Sequence, residues 1–307
     1  QELAFTLANG FTYLELGKQA GLKIEEFAPR LSFFFNSTMN FFEEIAKFRA
    51  ARRIWATVLK EKYGVEDNKA LILRFHTQTS GASLTWQQPM NNIVRTAIEA
   101  LAAVLGGTQS LHTNSYDEAW ALPTEEAVKV ALRTQQIIAE ETGVTSTVDP
   151  LGGSYYLECL TNELEEGAYR YFDKIEEIGG VINAIEEGYL QKEIAETAYR
   201  NQLQIEKEKE IIVGVNKYNE TEEKPIKILK VDDKAQEIQI ERLKKIKNER
   251  DNDKVKKTLA NLRRTYENDE KNCMYDTLKA VQAYATLQEI VDVGREVFGE
   301  WKEPQIF

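Results

Sequence analysis

Histidine occurs only twice in this chain of 307 residues, and each copy stands where an apolar run gives way to polar side chains. The first run is Leu71-Ile-Leu-Arg74-Phe-His76-Thr-Gln78-Thr79-Ser-Gly81, and the second is Gly106-Gly-Thr-Gln109-Ser110-Leu-His112-Thr-Asn114. In a strand–helix–strand protein the ends of strands are where loops converge on a ligand, so polar groups collected there mark a site. A single such histidine reads as a hydrogen-bonded core residue. Two on successive strands, one helix apart, read as a site. Arg30, Ser32, Arg74, His76, Gln78, Gln109, Ser110, His112, Asn114 and Glu118 all fall at such ends. Arginine offers a fixed fork of donors for phosphate, while Gln, Asn and Ser orient carbonyls and sugar hydroxyls. The set suits an extended, polar, phosphate-bearing ligand.

Other chemistries lack their residues. Gly106-Gly107 and Gly152-Gly153 match neither the dinucleotide fingerprint nor the P-loop, and no serine sits in a Gly-x-Ser-x-Gly elbow. The two histidines and two cysteines, Cys159 and Cys273, have no zinc-ligand spacing. Two cysteines are too few for a disulfide framework, and a reducing, cytoplasmic setting is the expectation. A net charge of −11 argues against nucleic acid and anionic membrane as partners, and no apolar run is long enough to cross a bilayer. The chain opens on Gln1-Glu-Leu-Ala-Phe inside a helical pattern and without methionine, which reads as a fragment whose upstream part, a targeting peptide included, is not in hand. Asn36-Ser-Thr38 and Asn219-Glu-Thr221 match the glycosylation pattern and are read as chance matches.

The elements that must position these residues follow from periodicity. Leu3, Leu7, Phe11, Leu14 and Leu16 predict an opening helix. Strands are expected at 31–35, 70–76 and 107–111, with long helices at 41–62 and 91–105 between them. Thr124 before Glu125-Glu126 starts a further helix and Gly143 stops it. This β-α-β-α-β-α order with short connections implies parallel strands, in a barrel or a doubly wound sheet. Arg30 to Phe34, His76, Gln78 and Asn114 are expected to line one continuous cavity. Beyond Gly153 the pattern turns helical, at 155–178 and 190–209, with a short extended piece at Ile211–Val215. Between 221 and 270 there are 26 charged residues, 12 acidic and 14 basic, over a helical period that aligns Ile238, Ile240, Leu243, Ile246, Val255 and Leu259. Such balanced charge describes a solvated helical belt rather than a catalytic segment.

Long ordered segments carry a resemblance. Ala28-Pro-Arg-Leu-Ser-Phe-Phe34, Met39-Asn-Phe-Phe-Glu-Glu-Ile-Ala-Lys-Phe-Arg49-Ala-Ala-Arg52, Arg74-Phe-His-Thr-Gln-Thr-Ser-Gly81, Asn91-Asn-Ile-Val-Arg95, Gly106 to Asn114, Val148-Asp-Pro-Leu-Gly-Gly-Ser-Tyr155 and Ile212 to Tyr218 resemble the large subunit of adenosylcobalamin-dependent methylmalonyl-CoA mutase and its acyl-CoA mutase relatives. The resemblance runs over essentially the whole chain. It implies an α/β fold in which 1–150 is the C-terminal half of a (β/α)8 TIM barrel and 151–307 a helical belt. It implies an isomerase that works by radical rearrangement with adenosylcobalamin, together with the N-terminal half of the barrel and a small cobalamin-binding subunit. Carried over by motif, Arg30, Ser32, Arg74, Gln109 and Ser110 would hold the CoA. His76 and Gln78 would be catalytic, beside substrate and corrin, and Asn114 and Glu118 would meet the adenosyl ribose.

Departures matter too. The Asp-x-His-x-x-Gly segment that ligates cobalt is missing, since Arg74 and Ser110 stand two before the histidines, so no cobalamin-binding domain is expected here. Ala82 and Phe35-Asn-Ser replace Trp and Trp-Gly-Ile of methylmalonyl-CoA mutases, which leaves isobutyryl-CoA and 2-hydroxyisobutyryl-CoA mutases open beside methylmalonyl-CoA mutase. A reading of another class is a non-catalytic fragment that binds a partner, for example a chaperone GTPase.

Overall fold

The computed structural model describes residues 1–220, 226–230, 232, 234–268 and 271–304. The described residues divide into two compact units, one within 1–229 that also takes in residue 304 and one within 230–303. The break falls after Leu229, so the helices that follow residue 151 up to that point belong with the sheet in one unit.

The first unit opens on α1 (Glu2–Gln19), whose Leu3, Leu7 and Leu14 are buried. Leu16 is exposed, because two residues of helix turn it some 200° away from Leu14. A short helix α2 (Ile24–Phe27) leads to β1 (Phe33–Ser37). Then come α3 (Phe41–Glu61), the single turn α4 (Asn68–Leu71), β2 (Phe75–Thr79), α5 (Asn91–Leu105) and β3 (Ser110–His112). The three strands are parallel in the order β1-β2-β3. Thr124 accepts from the Ala127 N–H and starts α6 (Glu125–Glu141), and Gly143 at φ 72 ends that segment. Next are α7 (Tyr155–Ile178), α8 (Val181–Glu186) and α9 (Tyr189–Glu206).

Each strand lies further along than its apolar run predicts. The runs at 31–35 and 70–76 are the approach to the sheet, and Asp67 caps Lys69 N–H to turn part of the second into α4. The strands themselves alternate, with Phe35, Ser37, Phe75, Thr77 and Thr79 buried and the residues between them open. That alternation lowers the apolar signal on which the expectation rested.

The core lies between the sheet and α3. Phe35, Phe48 and Phe75 meet with ring centroids 5.2 to 6.0 Å apart, and Ile45, Ile54, Trp55 and Leu59 of α3 are all buried. Arg49 of α3 binds Asp149, Glu158 and Thr161, tying α3 to α7 and the loop before it. That pairing holds the Glu158 carboxyl down to about 2. The expected extended piece at 211–215 is a turn instead. Gly214 at φ 84 bends the chain, and Asn216 accepts from the Ile212 N–H while donating to Ile205 and Glu210 carbonyls.

The second unit holds α10 (Lys234–Glu249), α11 (Asn252–Tyr266), α12 (Met274–Gln282) and α13 (Leu287–Phe298). The expected single charged segment is broken at Asp251, whose side chain caps the Lys254 N–H. Ile238, Ile240, Leu243 and Ile246 of α10 are exposed, whereas Val255 and Leu262 of α11 are buried. Arg250 pairs with Glu289 and holds that carboxyl down to about 2. Residues 221–225, where the charged run begins, and Thr221 of the second glycosylation match lie outside the described residues. Among the described residues no helix is long and apolar enough to cross a membrane.

Candidate functional site

One face of the sheet carries the polar clusters. Register pairs Phe34 with His76 and His76 with Ser110, and one layer further along it pairs Asn36 with Gln78 and Gln78 with His112. Alternation places all six on the face opposite the buried Phe35, Phe75 and Thr77. Strand rise and spacing make the patch roughly 10 by 7 Å. His76 Nδ1 lies 2.7 Å from Ser110 Oγ, and the His76 ring stands 5.2 Å from that of Phe34. Both histidines therefore face the same way.

The residues assigned to the CoA cluster at the opposite end of the strands from Asn114. Arg30 and Ser32 precede β1 and are exposed, and Arg74 precedes β2 and donates to the Pro29 carbonyl. The Gln109 amide serves the backbone, with Oε1 accepting from the Phe75 N–H at 2.7 Å and Nε2 donating to the Gly107 carbonyl at 3.0 Å. Nearby, Arg52 donates to the Gly106 carbonyl, and Gly107 at φ 84 leaves room for its guanidinium.

Asn114 does not join the open face. It is 4% exposed, and Thr79 donates to its Oδ1 at 2.7 Å, so the expected single cavity running from Arg30 to Asn114 is not what forms. Thr79 points to the helix side, and Asn114 follows it there because Thr79 also accepts the Asn114 N–H. Asn114 Nδ2 donates to Glu118 Oε2, and Glu118 Oε1 accepts from the Ser115 N–H at 2.6 Å. A carboxylate has about four lone-pair sites, so Glu118 keeps acceptors for further donors and Asn114 keeps one N–H. The pair offers carboxylate acceptors beside one amide N–H.

Beneath the strand ends lies a charged layer that sequence reasoning missed. Glu99 of α5 is wholly buried and accepts from the Ser80 N–H; burial pushes its carboxyl up to about 7. Burial lowers Arg95 one turn earlier, and Arg95 donates to Thr85, Asn92 and the Val213 carbonyl. A cavity of about 720 Å³ opens here, lined by Thr38, Ala82, Ser83, Val94, Arg95 and Val213 among others. Ala82 contributes only a methyl where the resembled mutases carry an indole. The helical spacing Asn92-x-x-Arg95-x-x-x-Glu99 was the available signal. Asn36 was missed as well, although its alternation with Phe35 was legible.

A parallel sheet with one face packed under helices and the other face polar is an α/β architecture. Here the small parallel sheet sits in a helix-rich chain. The profile of the family described as "Methylmalonyl-CoA mutase" matches residues 1–300, and the chain belongs to that family. It is similar to the 2-hydroxyisobutanoyl-CoA mutase large subunit of Aquincola tertiaricarbonis, with 47% identity over 100% of this chain and 55% of that protein. It is also similar to the mitochondrial methylmalonyl-CoA mutase of Homo sapiens, at 49% identity over 98% of this chain and 40% of the relative. The methylmalonyl-CoA mutase of Rhizobium meliloti (strain 1021) is 48% identical over 98% of this chain and 42% of its own length. The chain thus spans about half the length of these relatives, or less.

Proposed function

We propose that this chain forms part of the catalytic barrel of an adenosylcobalamin-dependent acyl-CoA mutase. The first reaction assigned to it is interconversion of methylmalonyl-CoA and succinyl-CoA, an isomerisation. The observation that carries the proposal is the polar face of the sheet, with Phe34, His76 and Ser110 in one layer and Asn36, Gln78 and His112 in the next. Parallel sheets are covered on both faces, so this one calls for the remaining barrel strands. Residues 1–150 supply the second half of that barrel in this reading. The helices beyond form its belt, and a small cobalamin-binding subunit completes the enzyme.

The chain's own residues divide the work by height along the strands. Arg30, Ser32 and Arg74, with Ser110 and the one N–H that Gln109 keeps, hold the CoA at the entry end. His76 and Gln78 orient the acyl group midway, and His76 gains a fixed ring position from Ser110. Asn114 and Glu118 take the ribose hydroxyls at the far end. The cofactor, when bound, supplies a carbon-centred radical. The protein's task is to position the substrate and keep water away, because such a radical must meet nothing else.

The departures at Asn36 and Ala82 leave isobutyryl-CoA and 2-hydroxyisobutyryl-CoA open as substrates, the latter the substrate in the Aquincola relative's name. The deciding experiment joins this chain to the rest of its barrel and to the cobalamin-binding subunit, then assays methylmalonyl-, isobutyryl- and 2-hydroxyisobutyryl-CoA with adenosylcobalamin. Turnover of at least one is expected. Cobalamin binding without turnover of any of the three would leave the chain a partner-binding module, for which a chaperone GTPase is the partner to test.

A further inference from the structure

Asn36 is held by an arrangement larger than a strand residue requires. It stands on the open sheet face, in register with Gln78, and is exposed. In a parallel pair, alternate residues turn their N–H and C=O away from the partner strand, and those of Asn36 face the free edge of β1. Glu2 of α1 accepts from the Asn36 backbone N–H at 2.7 Å and from Asn36 Nδ2 at 3.2 Å, through the same Oε1. Lys47 of α3 donates to the Asn36 carbonyl at 2.9 Å and pairs with the other oxygen of Glu2. The Lys47 side chain is 9% exposed and also pairs with Glu44. Two helices thus clamp one strand residue.

Covering an edge explains part of this, since unpaired strand edges invite wrong pairing. It does not explain the residue. Glu2 and Lys47 would meet the backbone of any side chain at position 36. Asparagine adds an amide whose direction is settled, because a carboxylate only accepts and must therefore face Nδ2. Oδ1 has no protein partner among the described residues, and Asn36 stands in register with Gln78 in the layer next to the strand ends.

We propose, resting on the mutase reading above, that Asn36 contacts the bound ligand and that its Oδ1 accepts a hydrogen bond from an O–H or N–H donor. Glu2 and Lys47 are positioning residues that aim it. Two donors are available to such a site, a hydroxyl on the acyl group or an amide N–H at the corrin edge. A carboxylate-bearing acyl group offers no donor at neutral pH and gains nothing from Asn36.

The test uses the complete protein with its cobalamin-binding subunit and compares the parent with Asn36→Ala. Measured are kcat and KM for 2-hydroxyisobutyryl-, isobutyryl- and methylmalonyl-CoA, and the Kd for adenosylcobalamin by absorbance. Losing one neutral hydrogen bond costs about three- to tenfold. If the donor is the acyl hydroxyl, kcat/KM falls by that factor for the hydroxylated substrate alone, a ratio that a merely structural role would not move. If the donor is a corrin amide, the cobalamin Kd rises by that factor and every substrate turned over slows together. Parent and variant within twofold on all these measures overturn the proposal. Should Asn36→Ala fail to fold, Asn36→Ser keeps a small polar group but loses the reach of Oδ1, and the same comparison decides. A parent that neither binds cobalamin nor turns over any of the three acyl-CoAs brings down the mutase reading itself, and the proposal with it.

Discussion

The two faces of the sheet are built from alternate residues of the same short strands, yet they obey opposite rules. Toward α3 and α5, Phe35, Phe75, Thr77 and Thr79 are buried, and the strand hydroxyls there are bonded: Ser37 to the Glu99 carbonyl, Thr77 to Thr108, Thr79 to Asn114. On the other face, Asn36, Ser110 and His112 are exposed and Gln78 is half-buried. Polar groups on this open face keep hydrogen-bonding capacity beyond the bonds they make within the chain. Burial without partners is costly, so the packed face must satisfy its polar atoms internally, and only the open face can spare some for a ligand. Packed and open groups are separated here by one residue of register.

Substitutions on each face can break that comparison. The largest effect is expected from Phe75→Ala, which empties a fully packed site between Phe35 and Phe48 and should cost about 3–5 kcal/mol in urea unfolding. A loss below about 1 kcal/mol would mean that the packed face is not what holds the sheet.

Glu99 tests the packed face by pH. Its carboxyl stands at about 7 instead of 4.5, so between those values the folded chain holds a proton that the unfolded chain has released. Stability therefore falls as pH rises through that window, by about 3 kcal/mol, and is fully present below it. Burial raises Glu44 in the same direction, while Glu158 and Glu289, held down to about 2, act only at lower pH. The difference between parent and Glu99→Gln at pH 5 to 8 isolates Glu99: the variant should lose most of the decline. Parallel curves would show that Glu99 ionises as freely folded as unfolded.

On the open face, Gln78→Ala in the assembled mutase should cost on the order of 10² in rate, because its part is orientation. The melting temperature should stay near the parent's. Early unfolding with full turnover per folded molecule would move Gln78 to the structural side.

The smallest effect sharpens the contrast by standing outside it. Thr124→Ala removes the α6 cap and should cost about 1 kcal/mol in stability while leaving turnover unchanged. A rate loss larger than the stability loss would tie α6 to the site.

Helices were the most legible part of this chain. The spans 91–105 and 155–178, the Thr124 cap and the Gly143 stop are encoded within a few residues, by bonds from each residue to the fourth before it and by side chains that close the ends. The Asn–Asp cluster at 248–253 held the break at Asp251 too, but the charge pattern masked it. Motif order carried the family over the whole chain. Strand limits were not local, because a strand ends where its neighbour stops pairing, and here the neighbours lie more than 30 residues away. For the same reason only the folded chain could turn Asn114 onto Thr79, spend the Gln109 amide on Phe75, and bring the Glu2–Lys47 pair onto the free edge at Asn36. Residue type stated which groups could bind a ligand; tertiary contacts decided which of them the fold had already used.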